Sequence, residues 1–286
     1  MGTSDLHIPC SDLPKFTTLT PYPRSPITPT PSSLSERFRL DGRVAVVTGA
    51  SGQLGHAIAR GLADLGASLA LVDVAPDKAT ILASELGAEH RAFEADLTNK
   101  SQVQDLAKQI GDHFRRVDIL VNNAGIGVFT PSEDRTEAEF ASVVDINLGG
   151  TFHCIDAFRE LLADGGGSIV NIASVYGVVS PDPRVYGDSG RNSSEIYGAT
   201  KAGVVQLSKY FAVHFAPLGI RVNSVSPGGV FANQAQEFVD AYVNRTPMAR
   251  MAAAADMQGA VAYLASDAAS YVTGHNLVVD GGFSAW

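Results

Sequence analysis

From Arg43 onward the chain alternates between short runs that are apolar at nearly every position and longer stretches whose apolar residues recur at helical spacing. Strands without a polar face must be covered on both sides, and parallel strands need a crossover between them, so this alternation predicts a doubly wound α/β fold. Strands are expected near residues 44–47, 68–72, 91–95, 119–122, 168–172, 221–225 and 277–279. Together they make a mostly parallel, seven-stranded sheet with helices on both faces. In the first helix, over 52–65, Leu54, Ile58, Leu62 and Leu65 share one face. Pro76 suits a helix start and Gly87 its end. Further helices are expected over 101–114, 137–162, 194–215 and 255–264. No linker or repeat divides residues 40–286, which therefore read as a single domain. The preceding segment, 1–39, holds seven of the 14 prolines before position 33 and reads as a poorly ordered arm. A short helical turn over 34–38, capped by Ser33, leads into the body.

Composition removes several functions. Lys plus Arg number 21 against 30 for Asp plus Glu, a formal charge of -9, which argues against binding a phosphate backbone. No run is long and apolar enough to span a membrane, and no secretory leader is visible. The expectation is a soluble, cytoplasmic protein with no nucleic-acid or membrane partner. Cys10 and Cys154 cannot build a disulfide framework and read as inert thiols in a reducing compartment. No metal is expected, because His56, His90, His113, His153, His214 and His275 lack ligand spacing.

Between the first strand and first helix lies Val47-Thr48-Gly49-Ala50-Ser51-Gly52-Gln53-Leu54-Gly55. Glycines there allow a tight turn, a close approach of backbone to a pyrophosphate, and exposure of helix N-terminal amides to an anion. A tight turn needs glycine even without a ligand, but Asp73 strengthens the binding reading. It ends the second strand 18 residues after Gly55, where a carboxylate accepts from ribose hydroxyls and repels a 2'-phosphate. NAD(H) is therefore expected over NADP(H). Asp96 either accepts from the adenine amino group or caps the following helix. Asn122-Asn123-Ala124-Gly125 closes the fourth strand with small residues that let a flat cofactor pass, at least one Asn serving only to tie loops together.

Tyr197 and Lys201 stand four apart in a helix and so share a face. An ammonium beside a phenol stabilises the phenolate, which makes the pair a candidate proton-transfer device, although such a pair in isolation is usually a surface feature. Ser174 ends the fifth strand and Asn147 lies in the preceding long helix, both placed to converge on the same mouth.

In this order the motifs resemble the short-chain dehydrogenase/reductase family in its compact form, over residues 40–286. The resemblance implies a coenzyme turn at Thr48, Gly49 and Gly55, an adenine contact at Asp96, and an Asn-Asn-Ala-Gly motif at 122–125. It further implies a catalytic tetrad of Asn147, Ser174, Tyr197 and Lys201, a Pro-Gly motif at Pro227 and Gly228, and a C-terminal signature at Asp280-Gly281-Gly282. The candidate cofactor contacts are accordingly Thr48, Gly49, Ser51, Gly52, Gln53, Leu54, Gly55, Asp73, Asp96, Leu97, Asn123, Ala124, Gly125, Tyr197, Lys201, Pro227, Gly228 and Val230. A homotetramer is also implied, with the apolar segment 283–286 and the long helices as contact surfaces.

Three positions depart from that pattern. Gln53 stands where compact members usually have glycine. Ala232 stands where many have a threonine for the carboxamide, with Asn233 as a substitute. Ser174 and Tyr197 are 23 apart, about a dozen being usual. The extra residues, 179–191, are either a surface loop or a wall whose Asp182, Arg184, Asp188 and Arg191 recognise hydroxyls or a carboxylate. Arg184 and Arg191 are thus candidate substrate contacts beside Ser174 and Tyr197. Residues 231–251, with Phe238, Tyr242, Arg245 and Arg250, form a lid.

The insertion gives a weaker resemblance to dehydrogenases of unusual sugar and nonulosonate pathways. The expected activity is NAD-dependent interconversion of a secondary alcohol and a ketone on a sugar, polyol or sugar acid. Tyr197 moves the proton, Ser174 holds the reacting oxygen, and Lys201 binds the ribose, lowers the tyrosine pKa and passes protons toward a water positioned by Asn147. The alternatives are a 3-oxoacyl thioester reductase and a non-enzymatic dinucleotide-binding protein.

Overall fold

The computed structural model describes residues 33–286. Residues 1–32, with most of the expected arm and Cys10, lie outside the described residues. The last part of that segment belongs to the body: helix α1 (Leu34–Phe38) carries a capping box, the Ser33 hydroxyl accepting from Glu36 N and the Glu36 carboxylate from Ser33 N. Its Phe38 packs 6.4 Å from the ring of Tyr263.

Seven strands follow, β1 (Val44–Thr48), β2 (Ser68–Asp73), β3 (Arg91–Glu94), β4 (Ile119–Asn122), β5 (Gly167–Ile172), β6 (Ile220–Pro227) and β7 (Asn276–Val279). All pair in parallel, in the order β3-β2-β1-β4-β5-β6-β7. Helices α2 (Gln53–Asp64), α3 (Asp77–Leu86) and α9 (Gln258–Ala265) join the core on one face of the sheet. Helices α4 (Lys100–Phe114), α6 (Thr151–Ala163) and α7 (Glu195–Phe215) cover the other. Alternation along β1 shows why the strand is apolar throughout: Ala45 and Val47 pack with Ile58 and Leu62, while Val46 packs with Leu106 and Phe158. Each such side chain, fully buried, is worth about 1.5–3 kcal/mol, so a polar residue on either face would be costly. Cys154 is buried on α6, and burial pushes its thiol up to about 12, which leaves it unreactive at neutral pH.

The expected helix over 137–162 contains an interruption. Helix α5 (Glu137–Val144) passes into a π-helical turn, Asp145–Gly150, before α6 begins. An extra residue per turn has no periodic signature in so short a stretch, so the sequence reads through it. Helix α8 (Gln236–Asn244) lies in the expected lid. Sequential connections reverse direction between β1 and β4, and a doubly wound sheet opens a crevice at that point beyond the strand C-termini.

Candidate active site

Two adjoining cavities occupy this crevice. The larger, about 790 Å³, runs over the β1–α2 turn and the ends of β2 and β3. Gly49 adopts φ +64°, and a Cβ there would meet Ala124 Cα at 2.9 Å; a Cβ on Gly55 would strike the Gly49 carbonyl. No side chain caps α2, whose N-cap is Gly52, so its first amides are left for an anion. A dinucleotide pyrophosphate fits that cradle. Asp73 accepts from Ser51 N at 2.9 Å and Ala75 N at 3.1 Å, which fixes its carboxylate on the cavity wall. Asp96 also lines the wall and accepts from Thr98 N and its hydroxyl; Asn99, accepting from Ser101 N and Gln102 N, is the cap of α4.

Of the expected cofactor contacts, Ser51, Gly52, Gln53, Leu54, Gly55, Leu97, Asn123, Ala124, Gly125 and Val230 line this cavity together with Gly49, Asp73 and Asp96. Thr48 does not. It is buried beneath the turn, where its hydroxyl accepts from Asn123 N and Ala124 N and so ties the end of β1 to that of β4. Asn123 reinforces the tie by donating to the carbonyls of Thr48 and Gly49. Asn122 is structural, donating to Asn171 Oδ1 at 2.8 Å inside the sheet.

The second cavity, about 350 Å³, holds Ser174, Tyr197 and Lys201 together with Pro227 and Gly228; Leu54, Asn123, Gly125, Ile126 and Val230 border both cavities. Ser194 caps α7 by accepting from Tyr197 N, and one helical turn separates Tyr197 from Lys201. The Lys201 ammonium donates to Ile172 O at 2.8 Å and stands 5.8 Å from the centre of the Tyr197 ring. Burial pulls its pKa down to about 8. Burial also raises the Tyr197 phenol above its ordinary value, and hydrogen bonding from Ser174 only partly offsets this. The Lys201 ammonium is turned toward a carbonyl, and desolvation is the largest influence on the phenol. Asn147, in the π turn, lines neither cavity. Its amide accepts from Ile126 N and donates to Ile126 O and Thr200 Oγ1, clamping the loop beneath the reacting groups. A Cβ on Gly125 would lie 3.0 Å from Asn147 Oδ1 and 3.3 Å from Lys201 Nζ, so glycine there lets both approach.

A family model described as enoyl-(acyl carrier protein) reductase matches residues 49–284. The chain belongs to the short-chain dehydrogenase/reductase family. It is 38% identical over 256 residues to D-threitol dehydrogenase of Mycolicibacterium smegmatis, covering 86% of this chain and 95% of that one. It is also 38% identical over 251 residues to cis-4-hydroxycyclohexanecarboxylate dehydrogenase of Sinomonas cyclohexanicum, covering 85% of this chain and 97% of the relative. A short chain dehydrogenase from Leptospira borgpetersenii serovar Hardjo-bovis with bound NAD+ superposes with a TM-score of 0.78 at 38% identity, over 88% of this chain and 96% of that one.

The departures from the family pattern acquire definite positions. Gln53 donates across the cavity mouth to Phe231 O at 2.7 Å, joining the coenzyme turn to the start of the lid. Asn233 is exposed, at φ +58°, and lines neither cavity; Gln234 lines the smaller one, braced by Val230 O and Ala232 N. The two arginines expected to recognise substrate do not reach the site. Arg184 forks onto Asp182 with its side chain 82% exposed, outside the reacting cavity. Arg191 lies outside it too, stacked at 4.3 Å over the Phe129 ring. A short-range carboxylate partner and an aromatic face capture the two guanidinium groups. The insertion instead contributes Tyr186 to the cavity, joined by Ser193 just beyond it and by Tyr176 and Phe129. Tyr186 stands between the arginines in sequence, and nothing local marks it as the residue that turns inward.

Proposed function

We propose that this chain is an NAD(H)-dependent dehydrogenase that interconverts a secondary alcohol and its ketone on a small polyhydroxylated substrate. The observation that carries this reading is the convergence of Ser174, Tyr197 and Lys201 in a cavity that opens into a cleft ending at Asp73. NAD(H) supplies or accepts the hydride. Ser174 holds the reacting oxygen, and Tyr197 gives it a proton in reduction or takes one in oxidation. Lys201 orients the ribose end of the cofactor, and Asn147 positions the loop that carries Ile126. Initial rates with a panel of polyols and ketoses test the reading, which predicts turnover with NAD(H) and at least one of them.

Asp73 supports NAD(H) over NADP(H). Its fixed carboxylate offers acceptors to two ribose hydroxyls, and among the described residues no Arg or Lys lines the larger cavity to neutralise an added phosphate. The expected result is a preference for NAD(H) of about tenfold or more in kcat/KM. A preference for NADP(H) would overturn the assignment.

Reduction of a 3-oxoacyl thioester fits less well, because Tyr186 and Phe238 close the reacting cavity at about 350 Å³. For assembly we infer a homotetramer. Phe152, Tyr210 and Val213 on α6 and α7 are 41%, 52% and 73% exposed, an apolar surface of the kind that obligate interfaces cover. Light scattering should give four times the 30.0 kDa chain mass; a monomer with full activity would refute it.

A further inference from the structure

The 179–191 insertion is tied to the rest of the chain at Asp182 and, just past its end, at Asn192. Asp182 accepts from Arg184 and, across to α8, from Arg245. Asn192 N donates to Phe129 O at 3.1 Å on the opposite side. Between these anchors Tyr186 is 8% exposed, its ring 5.4 Å from that of Phe238. The ring of Tyr176 stands edge-on to that of Phe283 at 6.4 Å. Both tyrosines line the cavity that holds Ser174 and Tyr197.

We propose that the Tyr176–Tyr186 phenol pair determines specificity by binding a second, non-reacting hydroxyl of a neutral substrate, and that the wall it forms excludes carboxylated ones. This rests on the dehydrogenase reading above and names its substrate class. Each phenol carries one O–H donor and accepting lone pairs, so the two tyrosines of the wall can both give and take a hydrogen bond. That pattern matches an alcohol, which both donates and accepts. The one cation lining the cavity among the described residues is Lys201, which already donates to Ile172 O and is assigned above to the ribose end of the cofactor, so a carboxylate on the tyrosine side finds no counter-charge of its own. Arg184 and Arg245 line a separate surface hollow and share Asp182, and Arg191 is stacked on the Phe129 ring outside the cavity. Burying an unpaired carboxylate is far costlier than burying a hydroxyl that is hydrogen-bonded. Sequence identity does not choose between the classes, since the relatives named for threitol and for a hydroxycyclohexanecarboxylate are both 38% identical to this chain.

The test compares three probes of equal chain length with NAD+: the best substrate among neutral polyols of four to six carbons, the aldonate of the same skeleton, and a secondary alcohol with no other hydroxyl. The wild type should prefer polyol to aldonate by about 100-fold or more in kcat/KM. Tyr186→Phe keeps the ring against Phe238 and removes the hydroxyl. It should lower kcat/KM for the polyol by about tenfold, a neutral hydrogen bond's worth, and leave the simple alcohol within about twofold. NADH affinity, read by fluorescence titration, should not change. Tyr176→Phe reports the same ratio independently should the first variant fail to fold. Equal losses on polyol and simple alcohol, or aldonate turnover matching the polyol, would overturn the proposal while leaving the dehydrogenase reading intact. No wild-type turnover of any alcohol would overturn the reading itself, and the proposal with it.

Discussion

Tyr197→Phe is expected to lower kcat by about 10²-fold or more while leaving NADH affinity and the fold nearly unchanged. The ring stays in place and only the oxygen proposed to carry the proton is lost, so the effect should fall on turnover rather than on binding. Direction of reaction should matter. Burial raises the phenol of the unliganded protein above its ordinary value, so Tyr197 is protonated at neutral pH. Reduction, which needs a donor, should be flat with pH through neutrality. Oxidation, which needs the base form, should rise as pH increases into the alkaline range. The Phe variant should lose that rise along with the activity. Wild-type turnover in a folded Tyr197→Phe protein would remove Tyr197 from the reaction.

Lys201→Met should have opposite effects on activity and stability. Turnover is expected to fall by about 10²-fold or more and NADH to bind more weakly, because the ammonium proposed to orient the cofactor is gone. In the absence of cofactor, however, the variant should be more stable at pH 7. The folded lysine has a pKa of about 8 against the ordinary 10.5. Between these values the unfolded chain binds more protons than the folded one, so stability climbs with pH; below about 8 the burial cost is present in full. At roughly 1.4 kcal/mol per pKa unit that cost is roughly 3–4 kcal/mol, and losing the hydrogen bond to Ile172 O gives back about 1 kcal/mol. A gain of several degrees in Tm follows, at roughly 2–4 °C per kcal/mol for a chain of this size. Differential scanning fluorimetry from pH 7 to 10.5 checks it: the wild type should close the gap as pH rises. A lower Tm for the variant at pH 7 would show that the buried ammonium is stabilised rather than strained.

What the sequence determined by itself was periodic or local. Val44–Thr48, Ser68–Asp73, Ile119–Asn122 and Gly167–Ile172 are apolar at most positions on both faces, and that pattern calls for a covered, parallel sheet. Tyr197 and Lys201 sit one helical turn apart, Ser174 ends a strand, and the Gly49–Gly55 turn joins a strand to a helix. Each of these is a short-range relation that backbone geometry converts directly into position. Only the tertiary structure decided where charged and aromatic side chains would spend their interactions. Arg184 and Arg191 looked like substrate contacts because they lie between Ser174 and Tyr197, yet Asp182 and Phe129 hold them outside the cavity. Tyr186 comes inward because Phe238 and Tyr176, 52 residues downstream and 10 upstream of it, supply the surface it packs on. The electrostatics at the centre were out of reach for the same reason: the four-residue spacing of Tyr197 and Lys201 says that the side chains are neighbours, but the depth of their burial, and the Ile172 carbonyl that takes the ammonium, come from the segments packed against them. Hydrophobic periodicity is a property of one segment. Desolvation and the choice of polar partner are properties of the segments packed against it.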